Sequence, residues 1–83
     1  MTRLMTQLIA DVWRDVLGIA ALEPTDDFFD LGGHSLTAVK IVSRLEAEYD
    51  VELPVTLVFE YPVFAQFAEV IDEMLRDVQT SDR

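Results

Sequence analysis

The stretch Asp27–Leu36 reads Asp-Phe-Phe-Asp-Leu-Gly-Gly-His-Ser-Leu and joins an irregular segment to a helix that starts at Ser35. Phe28 and Phe29 supply apolar anchors on the irregular side, and a serine opens the helical side. The hydroxyl of a serine in that place is exposed and approachable from one side. Free N–H groups and the positive end of the helix dipole there favour a phosphate group. The stretch therefore predicts a helical chain in which Ser35 receives a phosphate-linked group.

Outward from this stretch, the apolar periodicity predicts three longer helices and one short helix. The expected bounds are 4–17, 35–49, 55–60 and 63–78. Gly18 is a stop signal for the first helix, Pro54 prevents continuation of the second, and Pro62 occupies the first turn of the last. No strand is required. The predicted fold class is all-α, a small four-helix bundle with a long loop between the first two helices.

Each predicted helix has a stripe of apolar residues that we expect to form a single core. The core candidates are Leu4, Met5, Leu8, Ile9, Val12, Trp13, Val16, Leu17, Ala38, Ile41, Val42, Leu45, Tyr49, Val63, Phe64, Phe67, Ala68, Ile71, Met74 and Leu75. Residues 19–34 lack a sustained period, and loops this long are usually functional or locally packed. We expect Phe28 and Phe29, with Leu22 and Leu31, to pin this loop to the core. Residues 1–83 are expected to form one domain with a core over 4–78 and a frayed tail over 79–83. Because the chain begins with Met1, we expect it to be free-standing, although a fragment of a larger protein would look similar.

Composition excludes several classes of protein. The chain has 83 residues and no cysteine, which rules out disulfides and thiolate sites and agrees with a reducing, cytoplasmic location. No apolar run reaches membrane-spanning length, and no secretory signal is present. Sixteen acidic residues against six basic ones give a net charge of -10. That charge repels nucleic acid and attracts basic patches on partner proteins.

A serine and neighbours of this kind also occur in other structural and chemical roles. Taken alone, a serine that opens a helix is most often an N-cap. A hydrolase elbow needs Gly-x-Ser-x-Gly, but Thr37 stands in place of the second glycine. His34, the only histidine, is adjacent to Ser35 and does not face it as a catalytic base would. A calcium loop counted from Asp26 fails because Leu31 replaces the required glycine. We therefore expect no catalytic residue and no metal site.

Several segments together resemble carrier-protein domains, especially the peptidyl carrier (thiolation) proteins of non-ribosomal peptide synthesis. The attachment motif of that family is similar to Leu31–Leu36. The other matching segments, in chain order and at compatible spacing, are Val12–Gly18, Asp26–Asp30, Val42–Leu45, Val51–Pro54 and Val58–Pro62. The resemblance covers nearly the whole chain.

The resemblance implies an all-α carrier whose Ser35 is esterified with 4′-phosphopantetheine from coenzyme A by a phosphopantetheinyl transferase. The terminal thiol of that arm would hold an aminoacyl or acyl group as a thioester, and the protein itself would catalyse nothing. Gly33, His34 and Leu36 would flank the arm, and Gly32 and Gly33 would leave room for the approaching enzyme. The implied later partners are adenylation, condensation, thioesterase or tailoring enzymes, and a monomer is expected.

Local sequence favours the peptidyl subtype. His34 precedes Ser35, where fatty-acid and polyketide carriers typically have Asp, and the charges of the second helix are mixed. The net charge of -10 instead favours the acidic, free-standing acyl carriers. An acyl carrier of a polyketide or fatty-acid pathway therefore remains an alternative, as does an acidic helical adaptor without a prosthetic group.

Partner enzymes are expected on the open side of the second helix and the short third helix. The predicted partner-binding residues are Leu36, Thr37, Lys40, Val58 and Phe59. For Phe59, a core position and a surface position are equally supported by the sequence.

Overall fold

The computed structural model describes residues 2–81, with side chains described over 5–76. It has four helices, which are α1 (Thr2–Leu17), α2 (Ser35–Tyr49), α3 (Thr56–Glu60) and α4 (Phe64–Ser81). Over that range the only strand-like pairing is a single antiparallel bridge between Asp27 and Val63. The predicted all-α bundle with its long first loop is confirmed.

The helix bounds differ from the expected ones mainly at α4. This helix begins at Phe64 because Val63 pairs with the long loop, and Pro62 therefore precedes the helix. It continues to Ser81, three residues beyond the predicted end at 78. The expected frayed tail over 79–83 stays a prediction, since residues 79–81 belong to α4 and residues 82–83 lie outside the described range.

The core forms where the apolar stripes of the helices meet. α1 packs against both α2 and α4, so it lies at the centre of the bundle. Its Trp13 is fully buried and makes edge-on contacts with Phe28 (ring centroids 5.7 Å) and Phe64 (5.2 Å) and a tilted contact with Phe67 (5.4 Å). Aromatic pairs in such orientations are favourable beyond their buried area. Trp13 therefore ties α4 and the long loop to α1.

Two further observations revise the predicted core. Leu53, Leu57 and Val58 are buried but were not expected in it. Several expected members are only half-buried: Met5, Leu8, Val16, Leu17, Tyr49, Val63 and Met74. The side chain of Leu4 lies outside the described residues.

Phe28 confirms the predicted anchoring of the loop, whereas Phe29 does not. Phe28 is 0% exposed, but Phe29 is 48% exposed, so its predicted core position is wrong. The two residues lie in a turn and their rings meet edge-on with centroids 5.3 Å apart. Of the two, the Phe28 ring is the one that packs against Trp13.

Backbone hydrogen bonds join the long loop between α1 and α2 to the start of α4. The Phe28 N–H donates to the Pro62 carbonyl (2.7 Å), and the Phe64 N–H donates to the Asp26 carbonyl (2.9 Å). The Ala65 N–H donates to the Pro24 carbonyl (2.9 Å). The loop thus supplies acceptors for N–H groups that a helix start leaves without partners. It is ordered because it caps α4.

None of the described helices is both long and apolar enough to span a bilayer. Within the same residues, no three His, Asp or Glu side chains are placed to share a metal ion.

Candidate functional site

Ser35 is the first residue of α2, and His34 is the N-cap. The backbone of His34 is extended (φ -152°, ψ -176°), and its carbonyl accepts from the Ala38 N–H at 2.9 Å. The Ser35 side chain is exposed, and no described residue forms a hydrogen bond with its hydroxyl. The serine is therefore not the cap of its helix, and its hydroxyl is open to solvent.

Thr37 holds the helix start in place. Its Oγ1 accepts a hydrogen bond from the His34 N–H (2.8 Å) and donates one to the His34 carbonyl (2.7 Å). Reciprocal bonds of this kind satisfy groups that the first turn of a helix leaves unpaired. The hydroxyl of the half-buried Thr37 is thus engaged with the backbone of His34, which argues against its predicted contact with partners.

Gly33 is required by packing against Phe28. A Cβ built on Gly33 would lie 2.5 Å from Cε2 and Cζ of the buried Phe28 ring. This internal reason for the glycine stands beside the expected one, room for an approaching enzyme, which stays a prediction. Gly32 adopts φ +89° with open space around it, a conformation that side chains disfavour. The pair lets the chain turn sharply between a buried ring and the exposed serine.

Asp27 organises the same turn, a role that the sequence analysis missed. Its Oδ1 accepts from the Phe29 N–H (2.8 Å) and the Asp30 N–H (3.3 Å). The Gly33 N–H donates to the Phe28 carbonyl at 3.0 Å and closes the turn. An aspartate that bonds the backbone two residues ahead is a recognised turn-former, so its position before the glycine pair was a usable signal.

Exposed apolar side chains surround the helix start. Leu36 is 59% exposed, Val39 47% and Phe59 37%. Phe59 stacks on Phe29 with ring centroids 6.0 Å apart and planes 16° apart. Val58, by contrast, is 0% exposed, so its predicted place on the partner surface is wrong: it fills the core beneath α3.

Two members of this apolar surface were not predicted. Val39 follows Leu36 by three residues and lies beside the buried stripe of α2 rather than within it, so helical periodicity could have found it. Phe29 lies in a loop without a period, so no local signal placed it outside. Lys40 is exposed, as expected.

The arrangement suits the attachment of a phosphate-linked group. The Ser35 residue is exposed at the N-terminal end of α2, where the free N–H groups of a helix favour a phosphate group. No described side chain lies in hydrogen-bonding contact with that hydroxyl as a base. Phosphopantetheine would be held covalently by Ser35, with Gly33 and His34 on one side and Leu36 on the other.

The family model described as "Phosphopantetheine attachment site" matches residues 7–71. Tyrocidine synthase 3 from Brevibacillus parabrevis is 46% identical over 63 residues, which is 76% of this chain but only 1% of that protein. The chain thus corresponds to a small part of such relatives.

Solved carrier proteins share the fold as well as the motif. BlmI, a type-II acyl carrier protein from Streptomyces verticillus involved in bleomycin biosynthesis, matches with TM-score 0.83 and 32% identity over 89% of both chains. A structure of the phosphopantetheine transferase Sfp with coenzyme A and a peptidyl carrier protein gives a match of TM-score 0.76 and 32% identity over 83% of this chain and 90% of that one. The sequence motif, the helix order and these matches agree, and the chain belongs to the phosphopantetheine attachment family, among its peptidyl carrier domains.

Proposed function

We propose that Ser35 carries the 4′-phosphopantetheine arm and that this chain presents aminoacyl or acyl groups, held on the arm, to the enzymes of a peptide-synthesis pathway. One observation carries the proposal. The Ser35 hydroxyl is exposed at the first residue of α2 and makes no hydrogen bond with any described residue. When bound, the arm supplies a thiol for thioester formation.

The residues around Ser35 position the attachment point and leave its chemistry to another protein. Trp13 fixes Phe28, the Phe28 ring lies against Gly33, and the Thr37 hydroxyl pins the helix start. These contacts hold the serine at a rigid helix end. An enzyme therefore meets a preformed target, which lowers the ordering cost of association.

A non-catalytic role agrees with the same geometry. A serine nucleophile needs an adjacent base within hydrogen-bonding reach, and the described residues supply none to Ser35. The transferase must therefore remove the hydroxyl proton.

The proposed docking surface consists of the exposed side chains Phe29, Leu36, Val39, Lys40 and Phe59. This surface differs from the predicted partner-binding set in two ways: Thr37 and Val58 are removed, and Phe29 and Val39 are added. A protein that reaches Ser35 must cover the first turns of α2, so these side chains are the ones that it meets. We expect phosphopantetheinyl transferase first, then adenylation, condensation, thioesterase or tailoring enzymes, all acting on a monomeric single domain.

Mass spectrometry tests the attachment site. The apo protein is incubated with coenzyme A and the transferase Sfp and then weighed, alongside the Ser35→Ala variant. The expected result is the mass of one phosphopantetheine added to the parent protein and none added to the variant. An unchanged parent mass would select the adaptor alternative, and modification of the variant would assign the arm to another residue.

The docking surface is tested in the same assay with Leu36→Asp and, as the matched control, Ser43→Asp on the same exposed helix further from Ser35. Placing a charge in an apolar interface costs binding energy. Leu36→Asp should therefore lower kcat/KM for loading by about ten-fold or more, the loss that about 1.4 kcal/mol produces. Equal effects of the two substitutions would contradict the surface.

A further inference from the structure

The charges of α2 and the segment that follows it are divided by position. Residues 35–42 contain one formally charged side chain, Lys40. Residues 43–52 contain one cation and four acids, namely Arg44, Glu46, Glu48, Asp50 and Glu52. The half of α2 that begins at Ser35 is therefore cationic, in a chain whose net charge is -10.

Among the described side chains (residues 5–76), Lys40 is also the one Lys or Arg that forms no ion pair. The other cations in that range each have a carboxylate partner: Arg14 pairs with Asp11, Arg44 with Asp15 and Arg76 with Asp72. Asp11 and Asp15 are the only acids of α1, the helix against which α2 packs. The neighbouring helix thus has no spare acid for Lys40, whose charge stays available to another protein.

Lys40 shares an exposed face with Leu36 and Val39. The three residues are spaced i, i+3 and i+4, which places them side by side on one surface of a helix. A protein that covers Leu36 and Val39 also removes water from the Lys40 ammonium. Removing a charge from water is costly unless the partner offers an opposite charge.

We propose that the phosphopantetheinyl transferase that modifies Ser35 presents a carboxylate to Lys40 while it covers Leu36 and Val39. This inference rests on the proposed function of Ser35 and adds the chemistry of the partner. The transferase is the partner in question because its reaction occurs at Ser35, one turn from these side chains. The net charge alone points to a basic partner, whereas this surface selects an acidic group within an apolar contact.

Two matched substitutions separate a local ion pair from net charge. Lys40→Gln and Arg44→Gln each change the net charge from -10 to -11, but Arg44 is already paired with Asp15. Loading is measured as kcat/KM with Sfp and coenzyme A, at low ionic strength and in about 0.5 M NaCl, where the Debye length is only a few ångströms. Circular dichroism establishes that each variant is folded.

We expect Lys40→Gln to lower kcat/KM at low salt by about ten-fold, near the low end of what close interfacial charge pairs contribute. Lys40→Glu should lower it further, because the carboxylates then repel each other. Arg44→Gln should change it less than about two-fold, and the Lys40 effect should shrink in high salt.

Equal losses in Lys40→Gln and Arg44→Gln, or wild-type loading of Lys40→Glu at low salt, would overturn the inference. Both results leave the mass gain on Ser35 intact, so they are distinguishable from failure of the proposed function. If the proposed function itself failed, even the parent protein would gain no mass.

Discussion

Replacing Gly33 by alanine tests how the buried core positions the exposed serine. The added Cβ would lie 2.5 Å from two atoms of the Phe28 ring and 2.6 Å from a third. Such a separation is far inside van der Waals contact, so either the ring or the turn must move. Phe28 is 0% exposed and packs edge-on against Trp13, which leaves the ring no free space.

The expected cost follows from overpacking. Inserting a methyl group into a filled core destabilises by about 1–3 kcal/mol. For a domain of this size each kcal/mol lowers Tm by roughly 4–8 °C. Gly32→Ala is the matched control because its Cβ meets nothing within 4 Å. Its cost comes from the left-handed backbone alone and is about 1–2 kcal/mol.

The two mechanisms separate in a double-mutant cycle with Phe28→Leu, measured by urea unfolding at one temperature. Leucine shortens the side chain that the new methyl group would strike. Gly33→Ala should therefore cost at least about 1 kcal/mol less in the Phe28→Leu background, whereas Gly32→Ala should cost the same in both. If the cost of Gly33→Ala is equal in the two backgrounds to within about 0.5 kcal/mol, the proposed clash is not what requires the glycine.

Two further predictions concern aromatic residues: the adjacent Phe28 and Phe29, and Tyr49 at the end of α2. Phe28→Ala should destabilise by about 3–5 kcal/mol. Phe29→Ala should cost about 1 kcal/mol or less, because the Phe29 ring is half exposed and contributes mainly its ring contacts with Phe28 and Phe59. Equal costs in urea unfolding would restore the predicted core position of Phe29. Burial, with a smaller contribution from Glu48, raises the pKa of Tyr49 above its ordinary value of 10.0. As pH rises, the Tyr49 hydroxyl of the unfolded state therefore loses its proton before that of the folded state. The contribution of neutral Tyr49 to folding stability is fully present below pH 10 and is lost as pH rises through the folded-state pKa. Unfolding measured at about pH 9 and pH 11 should show a smaller decrease in stability for Tyr49→Phe than for the parent, and identical decreases would contradict the assignment.

The helices and the attachment motif could be predicted because their signals are local. Apolar residues spaced three and four apart predict α1, α2 and α4 wherever those stripes find each other. Ser35 stands two residues after a glycine pair and opens a helix, and that position alone predicts its exposure. Charge and composition likewise needed no structure.

Other features depended on contacts between distant parts of the chain. Phe28 and Phe29 are adjacent in a loop without a period, so only packing on Trp13 decides which ring is buried. α3 has five residues, too few for a pattern to indicate that Val58 points inward and Phe59 outward. The start of α4 was misplaced for a related reason, since Val63 is taken by its bridge to Asp27.

The sequence by itself determined the helical elements, the stop signals and the serine that opens α2, since each depends on residues within a turn or two of one another. Only the tertiary structure decided which side chains surround that serine. In the tertiary structure Val58 is buried, Phe29 is exposed, and Gly33 is needed because a Cβ there would clash with the Phe28 ring. The physical reason is that helix formation follows local spacing, whereas the burial of a loop or one-turn helix is set by the surface that distant helices offer it.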